Sequence, residues 1–93
     1  MSNLTVRPRL SPKVRLRFDR RTGRHLLLYP ERGLELNQTA TEIARLCTGE
    51  WTIDDMVDRL ARTYGAVSSE GLRRELLDFL HSLDRRGLLL GFR

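Results

Sequence analysis

The chain has 93 residues, 40 % of them hydrophobic, and 17 Lys and Arg against 12 Asp and Glu, for a formal charge of +5 at neutral pH. A chain of this length is one domain that buries roughly 60–65 % of its unfolded surface, too little to wall a large enzymatic cleft unaided. No apolar run approaches the ~18 residues of a membrane-spanning helix, and a lone cysteine, Cys47, excludes an internal disulfide and suits a reducing compartment.

The charge is uneven. Residues 1–36 hold nine Arg and Lys against three acids, whereas residues 37–93 hold eight against nine. The same boundary separates an alternating apolar pattern from a helical one, so a cationic sheet is expected to precede a nearly neutral helical segment.

In chain order, residues 1–12 read as a flexible N-terminal arm, because Pro8 and Pro12 lack an N–H and push their predecessors away from helix. Met1 to Leu10 lacks the apolar stretch of a secretory signal, and a cytoplasmic location is expected. Residues 13–93 read as a single domain. Strict alternation predicts a strand over 13–18, with Val14, Leu16 and Phe18 on one face and Lys13, Arg15 and Arg17 on the other. Turn chemistry follows at Asp19–Gly23. A second strand over 24–29 is apolar on both faces and completes a hairpin. Pro30 ends it, Glu31-Arg32-Gly33 is expected to turn, and residues 34–36 form a short third strand at an edge, with unpaired backbone groups.

Three helices are expected: 38–47 with Asn37 as N-cap and Gly49 placed to end it, 53–64 opened by a capping box at Thr52 with Asp55 in the acidic position, and 69–86 capped at Ser68 or Ser69 and stopped at Gly87. Leu88 to Phe92 is a short apolar tail. The expected fold is α+β: a small winged-helix-like domain, with an N-terminal three-stranded antiparallel sheet followed by a three-helix bundle. In the third helix Leu72, Leu76, Phe79, Leu80 and Leu83 form one stripe. Leu77 widens it beyond what a core face needs, as a residue under the tail or in a groove.

Chemistry-bearing groups do not converge. His25, His81 and Cys47 lack metal-ligand spacing, Cys47 reads as a small buried hydrophobe, and Asp54, Asp55 and Asp58 suit a helix N-terminus. The glycines are isolated, so no phosphate loop is present. Trp51 sits where a hydrophobic residue staples a helix start. No catalytic residue, metal or cofactor is expected.

Two binding modes remain. A winged-helix DNA binder would lay its third helix in the major groove, but residues 70–86 carry four acids (Glu70, Glu75, Asp78, Asp84) against four arginines (Arg73, Arg74, Arg85, Arg86), a poor balance for neutralising phosphate. The competing mode is strand addition, in which an extended peptide pairs with a sheet edge beside an apolar helix. Leu34, Glu35 and Leu36 are the expected edge, with Leu76, Leu77 and Leu80 as the wall.

Asp19, the run Leu27-Leu28-Tyr29-Pro30-Glu31, Leu36-Asn37 with Ala40 and Ile43, Leu46-Cys47 with Gly49, and Phe79-Leu80 with Leu83 and Arg86-Gly87 together resemble the PqqD family, from about Pro8 to Leu88. Thr48 departs from the Asp usual before that glycine. The resemblance implies a non-catalytic peptide chaperone of pyrroloquinoline quinone (PQQ) biosynthesis. Such a chaperone binds the ribosomal precursor peptide and presents it to a radical S-adenosylmethionine (SAM) enzyme. It implies that the precursor adds to the strand Leu34-Glu35-Leu36 and lies against Leu76, Leu77 and Leu80. Arg73 is a candidate partner for a precursor carboxylate, and Lys13, Arg15 and Arg17 are candidates for docking the enzyme. No nucleic acid or membrane partner is expected. The sequence leaves both a monomer and a strand-exchanged dimer open.

Overall fold

The computed structural model describes residues 6–65 and 68–92. Five strands and three helices follow in the order β1 Arg9–Leu10, β2 Arg15–Asp19, β3 Arg24–Tyr29, β4 Arg32–Leu36, α1 Gln38–Leu46, α2 Ile53–Tyr64, α3 Ser69–Arg85 and β5 Leu89–Leu90. Strands β2, β3 and β4 form an antiparallel sheet in that spatial order.

The helix starts follow local rules. The Asn37 side chain accepts a hydrogen bond from the Ala40 N–H (2.8 Å). Thr52 and Asp55 form the reciprocal capping box, each side chain accepting from the other's N–H. Ser68 caps α3. Each cap answers one donor that a first turn leaves without an intrahelical partner.

The core lies between one face of the sheet and the three helices. Leu27 and Leu36 come from the sheet, Ile43 from α1, Met56 and Leu60 from α2, and Leu76, Leu80 and Leu83 from α3. Burying each such side chain stabilises the fold by about 1.5–3 kcal/mol before ordering costs.

Three expectations are corrected. Of the arm expected over residues 1–12, residues 1–5 lie outside the described residues, and the rest is docked rather than free. Val6 and Pro8 are buried, and β1 pairs with β5 in a second, two-stranded sheet. The segment is held from both sides: Ser11 N–H donates to the Leu88 carbonyl (2.8 Å), and Leu10 N–H to the Cys47 carbonyl (3.0 Å). Gly91 permits the closest approach, since a Cβ there would sit 2.7 Å from the Arg7 carbonyl oxygen.

The second correction concerns Gly49. It lies past the α1 C-cap at Cys47 and donates its N–H to the Pro8 carbonyl (3.0 Å), so it receives the N-terminal segment instead of ending the helix. The third concerns the turn after β3, which is Pro30-Glu31 alone. Pro30 presets the first turn position, Glu31 takes a positive φ of 63°, and β4 gains Arg32 and Gly33. The edge strand therefore has five residues, not three.

Candidate functional site

The β2–β3–β4 order leaves β4 at an edge of its sheet, and the register determines which backbone groups face outward. Tyr29 opposes Arg32 across a two-residue turn. In such a hairpin the closing pair exchanges both ladder bonds, and the pattern then alternates. Arg32, Leu34 and Leu36 therefore bond inward to β3. The N–H and C=O of Gly33 and Glu35 point away from the sheet. They are the groups an added strand would pair with.

Side chains alternate the other way, through the plane of the sheet. Leu34 and Leu36 share the helix-facing side, where Leu36 is buried and Leu34 half-buried. Glu35 projects from the opposite face, where Arg24 Nη1 donates to its Oε1 (3.0 Å). Both partners are more than half exposed, and the pair contributes about 0.2–1 kcal/mol.

At Asn37, directly after β4, a groove of about 290 Å³ opens between α1 and α3. Asn37, Ala40 and Ile43 line one side; Glu75, Asp78 and Phe79 line the other. Phe79 and Ala40 are half-buried, and Glu75 and Asp78 are exposed at the rim. The slot is thus an apolar floor with an acidic lip, continuous with the β4 edge.

The structure divides the expected site residues. Leu34, Glu35 and Leu36 lie on the edge strand as expected. Leu76 and Leu80 are core residues with no exposed surface, and neither lines the groove between α1 and α3. At 100° per residue, Glu75, Asp78 and Phe79 occupy one flank of the α3 core stripe, and Arg73 and Leu77 the other. Arg73 is committed there, its guanidinium paired with the Asp54 carboxylate of α2. Leu77 packs half-buried against the margin of the core. Sequence reasoning missed Gly33, Glu75, Asp78 and Phe79. The available signal was the flank of α3 facing α1, which periodicity alone does not distinguish from the flank facing α2.

Lys13, Arg15 and Arg17 are all exposed. Elsewhere the reactive groups are occupied or shielded. Cys47 is buried, its thiol donates to the Ile43 carbonyl (3.3 Å), and desolvation pushes its pKa up to about 12. His25 lies 5.0 Å from the Phe18 ring and takes a hydrogen bond at Nε2 from Arg45 (3.2 Å), while His81 packs edge-on against Phe92. The Arg59 guanidinium stacks on Trp51, 3.5 Å from the ring centroid. Among the described residues, no cluster of His, Cys, Asp and Glu is placed to hold a metal ion.

Taken together, fold and site define a class: a small α+β domain in which an open sheet edge runs into an interhelical groove. A family model described as coenzyme PQQ synthesis protein D (PqqD) matches residues 24–89. A protein of Methylococcus capsulatus named PqqA binding protein is 41 % identical over 69 residues, which are 74 % of this chain and 74 % of that protein. The solution structure of the PqqD truncation of Methylobacterium extorquens PqqCD superposes with a TM-score of 0.80 at 33 % identity, covering 97 % of this chain and 94 % of that one. It is described as a functional, stand-alone recognition element for ribosomally synthesised and post-translationally modified peptides. TbiB1, solved in complex with the TbiA(beta) leader peptide, has the same fold at 23 % identity and a TM-score of 0.76, covering 91 % of this chain and 98 % of that one. The chain belongs to the PqqD family.

Proposed function

We propose that this chain is a peptide chaperone of PQQ biosynthesis, binding the ribosomal precursor by strand addition and presenting it to a radical SAM enzyme. The observation that carries this reading is the β4 edge, whose outward backbone groups at Gly33 and Glu35 run into the groove between α1 and α3. The name of the Methylococcus relative and the description of the PqqCD truncation support the same substrate class.

Binding requires no bond to be made or broken. The precursor's backbone pairs with Gly33 and Glu35. Alternate side chains then fall on the face of Leu34 and Leu36, where the groove beyond Asn37 offers Ala40 and Phe79. Apolar contact there contributes about 25 cal/mol per Å² buried, less the cost of ordering the peptide. The winged-helix-like arrangement of sheet and helices holds edge and groove in fixed relation. In this reading the protein has no catalytic residue and no cofactor, works in the cytoplasm, and engages the enzyme through Arg15 and Arg17 of β2 together with Lys13 in the turn before it.

Titrating isotope-labelled protein with the precursor peptide, and separately with duplex DNA, tests the reading. It requires saturable amide shifts at residues 33–37 and 75–79 with peptide. Saturable duplex binding without a peptide response would reverse it.

A further inference from the structure

The outer face of the β2–β3–β4 sheet departs from the usual pattern of a solvated sheet face. Two cross-strand rows lie on it: Arg15, Leu28 and Gly33, and Arg17, Leu26 and Glu35. Alternation on a sheet with one buried face would place polar residues throughout. Here the central strand instead directs Leu26 and Leu28 outward, each half-buried. Gly33 keeps the β4 side low. A Cβ there would stand 3.3 Å from Leu28 Cδ2, so the leucine rests over bare backbone. Beside the two leucines lies a shallow concavity of about 530 Å³, reaching Arg17, Phe18, Asp19, Arg20 and Arg21.

The surrounding charge is one-sided. Asp19 is engaged by Arg21 (3.8 Å) and Glu35 by Arg24 (3.0 Å). Among the described residues, Arg15, Arg17 and Arg20 form no ion pair. The result is an aliphatic ledge bordered by unneutralised arginines. The groove at the end of β4 has the opposite polarity, with Glu75 and Asp78 at its lip.

We propose that Leu26 and Leu28 anchor a second protein on this face, one whose contact patch presents aliphatic side chains ringed by Asp and Glu. Charge and shape both select that occupant. Phe18 also borders the concavity, but alternation sets its ring on the other side of the sheet, against His25. The two leucines themselves therefore present no ring for a base to stack on, and aliphatic surface gains nothing from phosphate. A second copy would bring another net charge of +5 against the same arginines. The side chains of this face point away from the groove, so the anchored protein and an added strand on β4 occupy the domain together. This deepens the proposed function by locating the enzyme's contact and naming its chemistry. It depends on that reading only for the identity of the probe.

The test measures affinity for the radical SAM enzyme of the pathway and, in parallel, for the precursor peptide. Four proteins are compared: wild type, Leu28→Ser, Leu26→Ser and the double variant R15E/R17E. Each leucine variant should weaken enzyme binding about tenfold while leaving its salt dependence unchanged. R15E/R17E should weaken it at least as much and flatten the salt dependence. Peptide affinity should stay within about twofold, which also shows that each variant is folded. Unchanged enzyme affinity in both leucine variants would overturn the proposal, whatever the effect of R15E/R17E. So would duplex DNA binding, or a concentration-dependent dimer, that the leucine substitutions abolish. Loss of peptide binding by the wild type would instead sink the functional reading and leave this face to be judged by the enzyme measurements alone.

Discussion

Arg73 of α3 is paired with Asp54 of α2, and this contact shows which flank of α3 is already spoken for. With Arg73 turned toward α2, the flank of Glu75, Asp78 and Phe79 faces α1 and the end of β4. An exposed pair of this kind stabilises by about 1 kcal/mol or less. Arg73→Ala should therefore shift the urea midpoint only slightly and leave precursor affinity within about twofold. Phe79→Ala should reduce that affinity several-fold. Calorimetric titration of both variants checks the assignment.

Leu76 and Leu80 have no exposed surface, so their substitution is a test of stability, not of recognition. Truncation to alanine leaves a cavity and costs about 2–5 kcal/mol. Leu76→Ala and Leu80→Ala should each lower the melting temperature markedly by calorimetry. Any protein that remains folded should keep near-native peptide affinity.

Cys47 carries a pH dependence with a definite sign. Its folded pKa of about 12 lies above the ordinary value of 9.0 because burial disfavours the thiolate. Below pH 9 both states hold the proton and the stabilising contribution is fully present. As pH rises from about 9 toward 12, the unfolded chain ionises while the folded one does not, and stability falls. Cys47→Ala should lessen that decline in urea titrations. An alkylating reagent at neutral pH should modify the wild type only after denaturation, because the thiolate is the nucleophile.

Asp55 works in the other direction. The Thr52 backbone N–H and hydroxyl hold its carboxyl below the usual carboxylate range. Its stabilising contribution is present above the ordinary value of 3.8 and is lost as pH falls through the lower folded value. Asp55→Asn should flatten the acid limb of the stability profile. Thr52→Ala, which removes the cap itself, should cost about 1 kcal/mol at neutral pH.

Much of this molecule was legible in the sequence where a local rule sufficed. Alternation over residues 13–18 indicated the first long strand, which lies at Arg15–Asp19 because Lys13 is taken up in the turn before it. Asn37 and Thr52 each marked a helix start, and of Ser68 and Ser69 it is Ser68 whose side chain makes the capping bond. What escaped depends on distant partners. Nothing near Arg9 indicates that it will pair with Leu90. The positive φ of Glu31, at a residue other than glycine, concealed the two-residue turn and with it the place of Gly33 on the edge strand. The α3 stripe identified a buried face, but the contact of Arg73 with Asp54 was needed to tell its flanks apart.

The central claim is that the precursor becomes a fourth strand on β4, and a pair of prolines isolates it. Glu35→Pro removes an outward N–H and spares the β3–β4 ladder, an edge position where proline is tolerated. Leu34→Pro removes an inward donor and should damage the fold. Glu35→Ala controls for the lost pairing with Arg24.

The most direct measurement is amide hydrogen exchange of the wild type with and without precursor peptide. The account predicts that the Gly33 and Glu35 amides exchange freely alone and become protected in the complex, while Leu34 and Leu36 are protected throughout. Strand β2 is the opposite edge of the same sheet, where the same alternation turns Leu16 and Phe18 outward. Protection appearing at Leu16 and Phe18, with Gly33 and Glu35 unchanged, would contradict the account.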